Sequence, residues 1–460
     1  MSQVRTGGYR EVGQPRVDAW RPPASTAYRL EWTRERIRDR FWVIPGALLL
    51  SGAVLAVLTV EARQIGVPAG WRSGFSVGPG EAAGFLGIIA SSTLTFLGVV
   101  FTLTLVALQL ASSQLSPRVI RNFVRSGVTK LAFGILLATF SYAVTVLVLN
   151  GGHRGEAESR SVTMALVLVA ASLAIFLGYV AATVRLLQVV SVIAMVARQT
   201  LAAIDDSVPA AGAYRPADRP AQSAPPRTIS LPLARGRTRR ITHGVLLGVD
   251  HGRLARLARR HGCVLEMLVR VGEYVPAGSP VVAVHAAGSP VAPVHGAGGG
   301  PPDRAVLAGL SLGEGRSLYQ DPAFGIRQLA DIASQALSPA VNQPTTAVQV
   351  IDRLEEVLLY LGRRPDRSPY CADHAGTVRL IEPVRDWDSY LDLAFTEITR
   401  FGGSSPQVAR RLLAAYQALQ RGLGPARRAA VRSRQSALRE EAAGRGVSPA
   451  ILRPDSMGLG

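Results

Sequence analysis

The sequence predicts an α-helical membrane domain of four transmembrane helices, followed by an α+β domain on the cytoplasmic side. Three observations lead to this fold class: four long apolar blocks before about residue 200, basic residues that alternate between the loops, and mixed strand and helix patterns afterwards. The chain has 460 residues, of which 48% are apolar, and a net charge of +19. The predicted segments are a basic N-terminal segment (residues 1–40), the four-helix domain (41–200), a disordered linker (201–240), a small β-rich subdomain (241–300), a helical domain (301–421) and a basic tail (422–460).

Four uncharged blocks are long enough to cross a bilayer as helices. They cover about residues 41–60, 82–114, 131–149 and 162–182. A helix of about 20 residues spans the roughly 30 Å of a bilayer core, whereas a membrane β-barrel needs short alternating strands. The fourth block stays apolar to about Ala197, which predicts an apolar neck. Because an apolar neck needs a partner, we expect a homo-oligomer.

The loops between these blocks differ in their basic residues. The segment before the first block and the second connection are rich in them, whereas the first and third connections balance theirs with acids. The positive-inside rule therefore places the N-terminus, the second connection and the chain after the fourth block in the cytoplasm. This predicts a multi-pass protein of a bacterial inner membrane. The basic clusters are Arg34, Arg36, Arg38 and Arg40, then Arg118, Arg121, Arg125 and Lys130.

The second connection spaces Arg118, Arg121 and Arg125 as a helix would, with apolar residues between them. This spacing fits a short helix on the inner leaflet whose arginines bind anionic lipid head groups. The alternative is a solvated loop that only follows the topology rule. No nucleic-acid-binding motif accompanies the arginine excess of the chain, so we expect the lipid bilayer as a partner and no nucleic acid.

The second block carries a stripe of small and hydroxylated residues. At about 100° per residue, these residues fall within a narrow arc of the helix. They line a water-filled path in an oligomer or bundle, or they let helices pack closely with Ser and Thr bonded across or back to the backbone. The amide of Gln109 favours the path, because a buried amide needs polar partners. The stripe consists of Gly84, Ser91, Thr95, Gly98, Thr102 and Gln109.

Beyond the predicted linker, strand and helix patterns alternate. They predict a strand at Thr242–Val249, a helix around Leu254–Ala258, and strands around Val264–Val269 and Val281–Val284. Histidines and a cysteine occur in this region, but their spacings match no zinc motif. We therefore expect neither a metal nor another cofactor.

The most specific pattern of the C-terminal half predicts two helices joined by a turn between prolines. Asp321, followed by a proline, predicts the cap of the first helix, and Thr345 or Thr346 that of the second. Arg327 and Asp331 predict an i,i+4 pair on the first helix. The candidate cytoplasmic motif comprises Asp321, Arg327, Asp331, Ser338, Asn342 and Thr345.

Two runs of this sequence resemble a known family. They are residues 104–118, at the end of the second block, and residues 321–354. Together they are similar to the bacterial "predicted membrane protein" family called domain of unknown function 2254. The resemblance extends over about residues 38–420 and implies four spans and a cytoplasmic C-terminal region, but no established activity. One departure is Gln343, where the family pattern has an aspartate, so any role of that charge is absent here.

No motif of an enzyme is present. The sequence has no P-loop, no Gly-x-Ser-x-Gly elbow and no His-Glu-x-x-His, so we expect no catalytic residues. The stripe, the long second block and the neck favour an oligomeric channel-like protein with a cytoplasmic regulatory domain. The spans carry no acid or histidine, which argues against a pump. The alternative is a membrane-anchored scaffold or sensor without transport.

The C-terminal region is predicted to be helical. Apolar residues recur at helical spacing from about Trp387 to Gln420. The arginine-rich tail after Pro425 is predicted to be either a charged helix or disordered, and we expect it to be solvated.

Overall fold

A computed structural model describes most of the chain. The described residues are 16–20, 41–61, 79–114, 127–150, 157–207, 214–218, 226–233, 242–286, 300–373, 375–448 and 452–455. The chain forms two compact units. The first, here called the membrane unit, is Glu31–Val192, and the second, here called the α+β unit, is Met1–Leu30 together with Ile193–Gly460.

The membrane unit contains four apolar helices. Each includes a stretch that is long and apolar enough to cross a membrane. The prediction of four apolar helices followed by a mixed helix and sheet region is therefore confirmed, and the orientation stays a prediction. The helices are α1 (Val43–Glu61), α2 (Pro79–Gln114), α3 (Gly127–Asn150) and α4 (Ala157–Leu187).

Helix α3 is the centre of this bundle. It contacts α1, α2 and α4. Half of its apolar span is buried inside the unit, compared with 17% for α1 and for α4. Helices α1 and α3 cross at Gly52, where a Cβ atom would overlap the backbone of Ala138. The absence of a side chain at Gly52 is what permits this close approach.

Hydroxyl groups join the helices inside the bundle. Each interior pair leaves neither hydroxyl without a partner, which matters in a medium that supplies no water. Such bonds between membrane helices contribute about 0.6 kcal/mol each. The pairs are Thr139–Ser172 (2.9 Å), Thr104–Tyr179 (2.6 Å) and Thr59–Tyr142 (3.1 Å).

The fourth block is divided into two helices, which differs from the predicted continuous neck. Helix α4 ends at Leu187, and α5 (Val189–Ser207) follows after Gln188. Within the α+β unit, Thr200 of α5 is fully buried and lies against the backbone of Gly325. Ile193, Val196 and Ala197 of the predicted neck are also buried. This end of the neck is therefore covered within its own chain, and the expectation of a homo-oligomer loses this support.

The strands of the α+β unit form two sheets. A mixed seven-stranded sheet has the order β2-β1-β9-β10-β5-β7-β3, and a three-stranded antiparallel sheet has the order β6-β4-β8. The strands predicted between Thr242 and Val284 are all present. The predicted disordered linker is wrong at β3, because Ile229 is fully buried and β3 pairs with β7. The strands are β1 (Arg16–Trp20), β2 (Tyr214–Asp218), β3 (Arg227–Ser230), β4 (Gly244–Val249), β5 (Cys263–Met267), β6 (Tyr274–Val275), β7 (Pro280–Ala286), β8 (Leu310–Gly313), β9 (Tyr370–Ala372) and β10 (Val378–Ile381).

The helices of the α+β unit follow the sequence pattern closely. The predicted helices near Leu254, after Asp321 and from about Thr345 are present, as are those of the C-terminal region. The basic tail differs from the expected solvated segment, because Val431 and Leu438 of its helix are fully buried. After α5, the helices are α6 (His251–Arg260), α7 (Asp303–Leu307), α8 (Pro322–Ala336), α9 (Pro344–Gly362), α10 (Trp387–Gly402), α11 (Pro406–Gly422) and α12 (Pro425–Gly444).

Candidate functional site

The polar stripe lies on the outer surface of the membrane unit. All six of its residues are exposed: Gly84, Ser91, Thr95, Gly98, Thr102 and Gln109. The opposite side of α2 packs on the bundle, where Ala82, Thr93 and Val100 are buried. At about 100° per residue, these three lie on the far side of the helix from the stripe. The stripe therefore points away from the other three helices.

The polar groups of the stripe bond to their own helix. Ser91 donates to the Ile88 carbonyl, Thr95 to the Ser91 carbonyl and Thr102 to the Gly98 carbonyl, each at 3.0 Å. A Cβ atom added to Gly84 or Gly98 would meet nothing within 4 Å. The stripe therefore packs against no other helix among the described residues.

Large apolar side chains border the stripe on both sides. Ile88 and Val99 are exposed on one side, and Leu94 and Leu105 on the other. The outer surface of α2 is thus a shallow groove of small and polar residues between apolar ridges. Here it is called the outer face of α2. The predicted lipid-binding residues Arg118, Arg121 and Arg125 lie outside the described residues.

In the α+β unit, Asp321 caps α8 as predicted. Its Oδ1 accepts a hydrogen bond from the Phe324 amide at 3.1 Å, and its Oδ2 accepts two from Arg316. Burial raises the pKa of this carboxyl although Arg316 counteracts it. Gly272, at φ +91°, brings the loop between β5 and β6 against the same carboxylate, where a side chain would overlap it. Asp321 thus joins a helix start to a loop of the sheet region.

Arg327 and Asp331 form the predicted i,i+4 pair, at 2.8 Å. Arg327 also binds Glu397 of α10 at 2.7 Å. The glutamate in turn accepts a hydrogen bond from Ser334 at 3.4 Å. These contacts hold α8 against α10, so Arg327 and Asp331 have a structural role.

The turn of the motif is exposed. Asn342 has a positive φ of 46°, which asparagine tolerates better than most residues, and Ser338 donates to the Gln335 carbonyl. The predicted threonine cap is wrong, because α9 starts at Pro344 and its N-cap is therefore Gln343. Thr345 is exposed within the first turn. Asp321 and this turn lie at opposite ends of α8, about 22 Å apart at 1.5 Å per residue, so the motif is not one site.

A cavity of the α+β unit brings together residues that the sequence analysis did not single out. Asp321 is the one motif residue that lines it. Most of the others come from four separate parts of the chain: Met267–Val271, Leu361–Arg367, Glu382–Tyr390 and Arg427. The volume is about 90 Å³. Because arginine is common throughout the sequence, the arginines at these positions do not by themselves indicate a binding site.

Glu382 is the buried charge at the wall of this cavity. Its carboxylate lies 2.6 Å from His251 Nε2 and 2.5 Å from a guanidinium nitrogen of Arg367. Burial by itself raises the pKa of Glu382, but His251 and Arg367 outweigh that effect and lower it to about 2. The carboxylate is therefore charged at neutral pH and depends on both partners.

His285, Cys263 and Cys371 are further buried titratable groups of the sheet region, and none of them lines the cavity. His285 lies 2.6 Å from Glu266 across the β5–β7 pair. Cys263 and Cys371 are buried free thiols, and burial raises the pKa of both, to about 11 for Cys263. Among the described residues, no three His, Cys, Asp or Glu side chains are grouped so that they could hold a metal ion.

Comparison with known proteins gives the relationship of this chain. An uncharacterized protein of Mycobacterium bovis is 32% identical over 410 residues, which are 86% of this chain and 75% of the relative. Uncharacterized proteins from two strains of Mycobacterium tuberculosis match with the same identity and coverage. No solved structure matches the chain. Residues 38–418 match the family described as "predicted membrane protein", domain of unknown function 2254, and the chain belongs to that family.

Proposed function

We propose that this protein is an oligomeric, channel-like protein of a bacterial inner membrane. In this proposal, α2 helices from several copies meet along their outer faces around a shared path. The α+β unit lies in the cytoplasm and regulates the path. The protein has no enzymatic activity, and Arg118, Arg121 and Arg125 bind anionic lipid head groups.

One observation carries the proposal: the stripe is exposed on the side of α2 that is farthest from its own bundle. Hydroxyl-bearing and small residues in a membrane helix serve contacts with other helices or with water. Contact with lipid tails gives such a stripe neither a packing partner nor a hydration shell. A second copy of the chain supplies the contact that the described residues of one chain lack.

A scaffold or sensor without transport is the second candidate. The hydroxyls of Ser91, Thr95 and Thr102 already bond to backbone carbonyls of their own helix. Such groups require no water and are compatible with dry packing between two α2 helices. Both candidates need the same assembly along α2, and they differ in whether a path remains open.

Reconstitution in planar bilayers separates the two candidates. We expect single-channel currents from the wild type. Thr102→Leu should abolish them, because a larger apolar side chain then projects into the path. Ser92→Leu is the matched control, since Ser92 is exposed on the same helix about 80° away from Thr102. Its currents should equal those of the wild type.

Two outcomes contradict the channel. One is the absence of current under voltage and under membrane tension from protein that is oligomeric in detergent, which supports the scaffold. The other is an equal effect of Thr102→Leu and Ser92→Leu, because a path lined by the stripe requires the two positions to differ.

A further inference from the structure

The cavity of the α+β unit has an unusual balance of charges. Four arginines and three carboxylates line it. Each carboxylate already has an arginine partner: Asp321 binds Arg316, Glu382 binds Arg367, and Asp366 binds Arg427. Arg270 is the third lining arginine with a carboxylate partner, and it binds Glu273 at 2.7 Å. Because an arginine neutralises each carboxylate, the cavity is not suited to bind a cation.

Arg385 is the exception among these arginines. It makes no hydrogen bond or ion pair with any residue that the structure describes. Its charge acts at longer range on Glu273, Asp321 and Asp386. All three carboxylates are engaged elsewhere, the last with the Ser389 amide at 2.9 Å. Arg385 is thus a partly buried cation whose hydrogen-bond donors are available.

A second donor lines the same cavity. The Tyr390 hydroxyl makes no hydrogen bond to a described residue. Burial raises the pKa of Tyr390, so its hydroxyl keeps its proton at neutral pH. Trp387 also lines the cavity, but its Nε1 is fully buried, so this residue contributes its ring to the wall and not a donor.

The backbone adds to this preference for negative charge. Helix α10 begins at Trp387, and helix α8 begins at Pro322, and both first turns line the cavity. Helix N-termini carry a partial positive charge, although Asp321 and Asp386 cap these two. The C-terminal end of α9 lies nearby, but Arg427 bonds its Gly362 carbonyl and the Arg364 carbonyl beyond it. The two helix starts therefore add partial positive charge to that of the lining arginines.

We propose that this cavity binds a small oxyanion of the phosphate class, with Arg385 and Tyr390 as its hydrogen-bond donors. A tetrahedral oxyanion offers several acceptor oxygens, and these two donors come from the first turn of α10 and from two residues before that helix. The volume of about 90 Å³ accommodates a phosphate group. Apolar side chains such as Val249 and Val271 line the rest of the cavity and suit a small organic ester. This proposal does not depend on the assembly of α2.

Calorimetric titration of the purified full chain in detergent tests the proposal. The probes are inorganic phosphate and phenyl phosphate, each at constant ionic strength. We expect both to bind the wild type. Arg385→Gln should weaken binding at least about 10-fold, since it removes a charge-assisted hydrogen bond. Tyr390→Phe, which keeps the ring, should weaken binding about 2- to 10-fold, as loss of one neutral hydrogen bond does.

Arg400→Gln is the matched control. Arg400 is exposed on α10 and does not line the cavity, so the variant loses the same charge and should bind as the wild type does. Tighter binding of phenyl phosphate identifies an ester as the ligand, and equal affinity identifies the free anion. The proposal is overturned if neither probe binds the wild type. It is also overturned if Arg385→Gln and Tyr390→Phe both bind as tightly as Arg400→Gln.

Discussion

Glu382→Gln is expected to destabilise the α+β unit by about 3–5 kcal/mol, the usual cost of breaking a buried ion pair by removing one partner. The substitution removes the carboxylate that lies 2.6 Å from the buried His251 and 2.5 Å from the partly buried Arg367. For a unit of this size, the midpoint of thermal unfolding should fall by on the order of 10 °C. Tryptophan fluorescence of the full chain in detergent measures it.

The loss of stability caused by Glu382→Gln should also depend on pH. Because the folded state lowers the pKa of Glu382 from 4.5 to about 2, its carboxylate stabilises the fold fully above pH 4.5. That stabilisation is lost as the pH falls through 2. The difference between the wild type and Glu382→Gln should therefore be largest above pH 4.5 and shrink towards pH 2.

Glu356→Gln is the control for this prediction. Glu356 pairs with Arg353 at 2.8 Å, but both side chains are close to half exposed. Removing an exposed pair costs about 0–1 kcal/mol. Equal midpoints for the Glu382 and Glu356 variants at pH 7 would contradict the role given to Glu382.

Gly52→Val is expected to disrupt the membrane unit. A Cβ atom at Gly52 overlaps the backbone of Ala138, and a backbone cannot move aside as a flexible side chain does. Helices α1 and α3 must then separate, at a cost of about 3 kcal/mol, at the upper end of overpacking effects. We expect a lower yield of folded protein and early aggregation on heating, measured by size-exclusion chromatography in detergent.

Gly46→Val is the control, because it makes the same substitution in the same helix. A Cβ atom at Gly46 meets nothing within 4 Å. Any change in helix propensity is therefore similar in the two variants, and only the packing differs. Equal yields and equal thermal behaviour would show that α1 and α3 do not cross closely at Gly52.

The fold of the membrane unit was predictable because hydropathy along the chain identifies its helices. The orientation of α2 within the bundle was not. Its buried face contains Ala82, Thr93 and Val100, and its outer face contains Gly98 and Thr102, so residue type does not distinguish the two sides. The burial of Ile193, Val196 and Ala197 in the neck was not predictable for a related reason, because the residues that cover a helix can lie far away along the chain.

In the α+β unit, too, the local elements were predictable and the contacts between distant segments were not. Local signals predicted most of its helices and strands, including the cap at Asp321. The cavity was not predictable, because Arg270, Arg385 and Arg427 come from distant segments that meet only in the folded chain. The chain has 51 basic residues, so no single arginine stands out in the sequence.

The proposed channel requires copies of the chain to meet along the outer face of α2, and disulfide cross-linking in native membranes tests this most directly. The two natural cysteines are buried in the α+β unit and can be replaced by alanine. Single cysteines at stripe positions, Ser91→Cys, Thr95→Cys and Thr102→Cys, should give a two-chain species on oxidation. Thr93→Cys should not, because Thr93 is 5% exposed on the opposite side of the same helix. Stripe cysteines that remain single-chain, as Thr93→Cys does, would contradict the assembly.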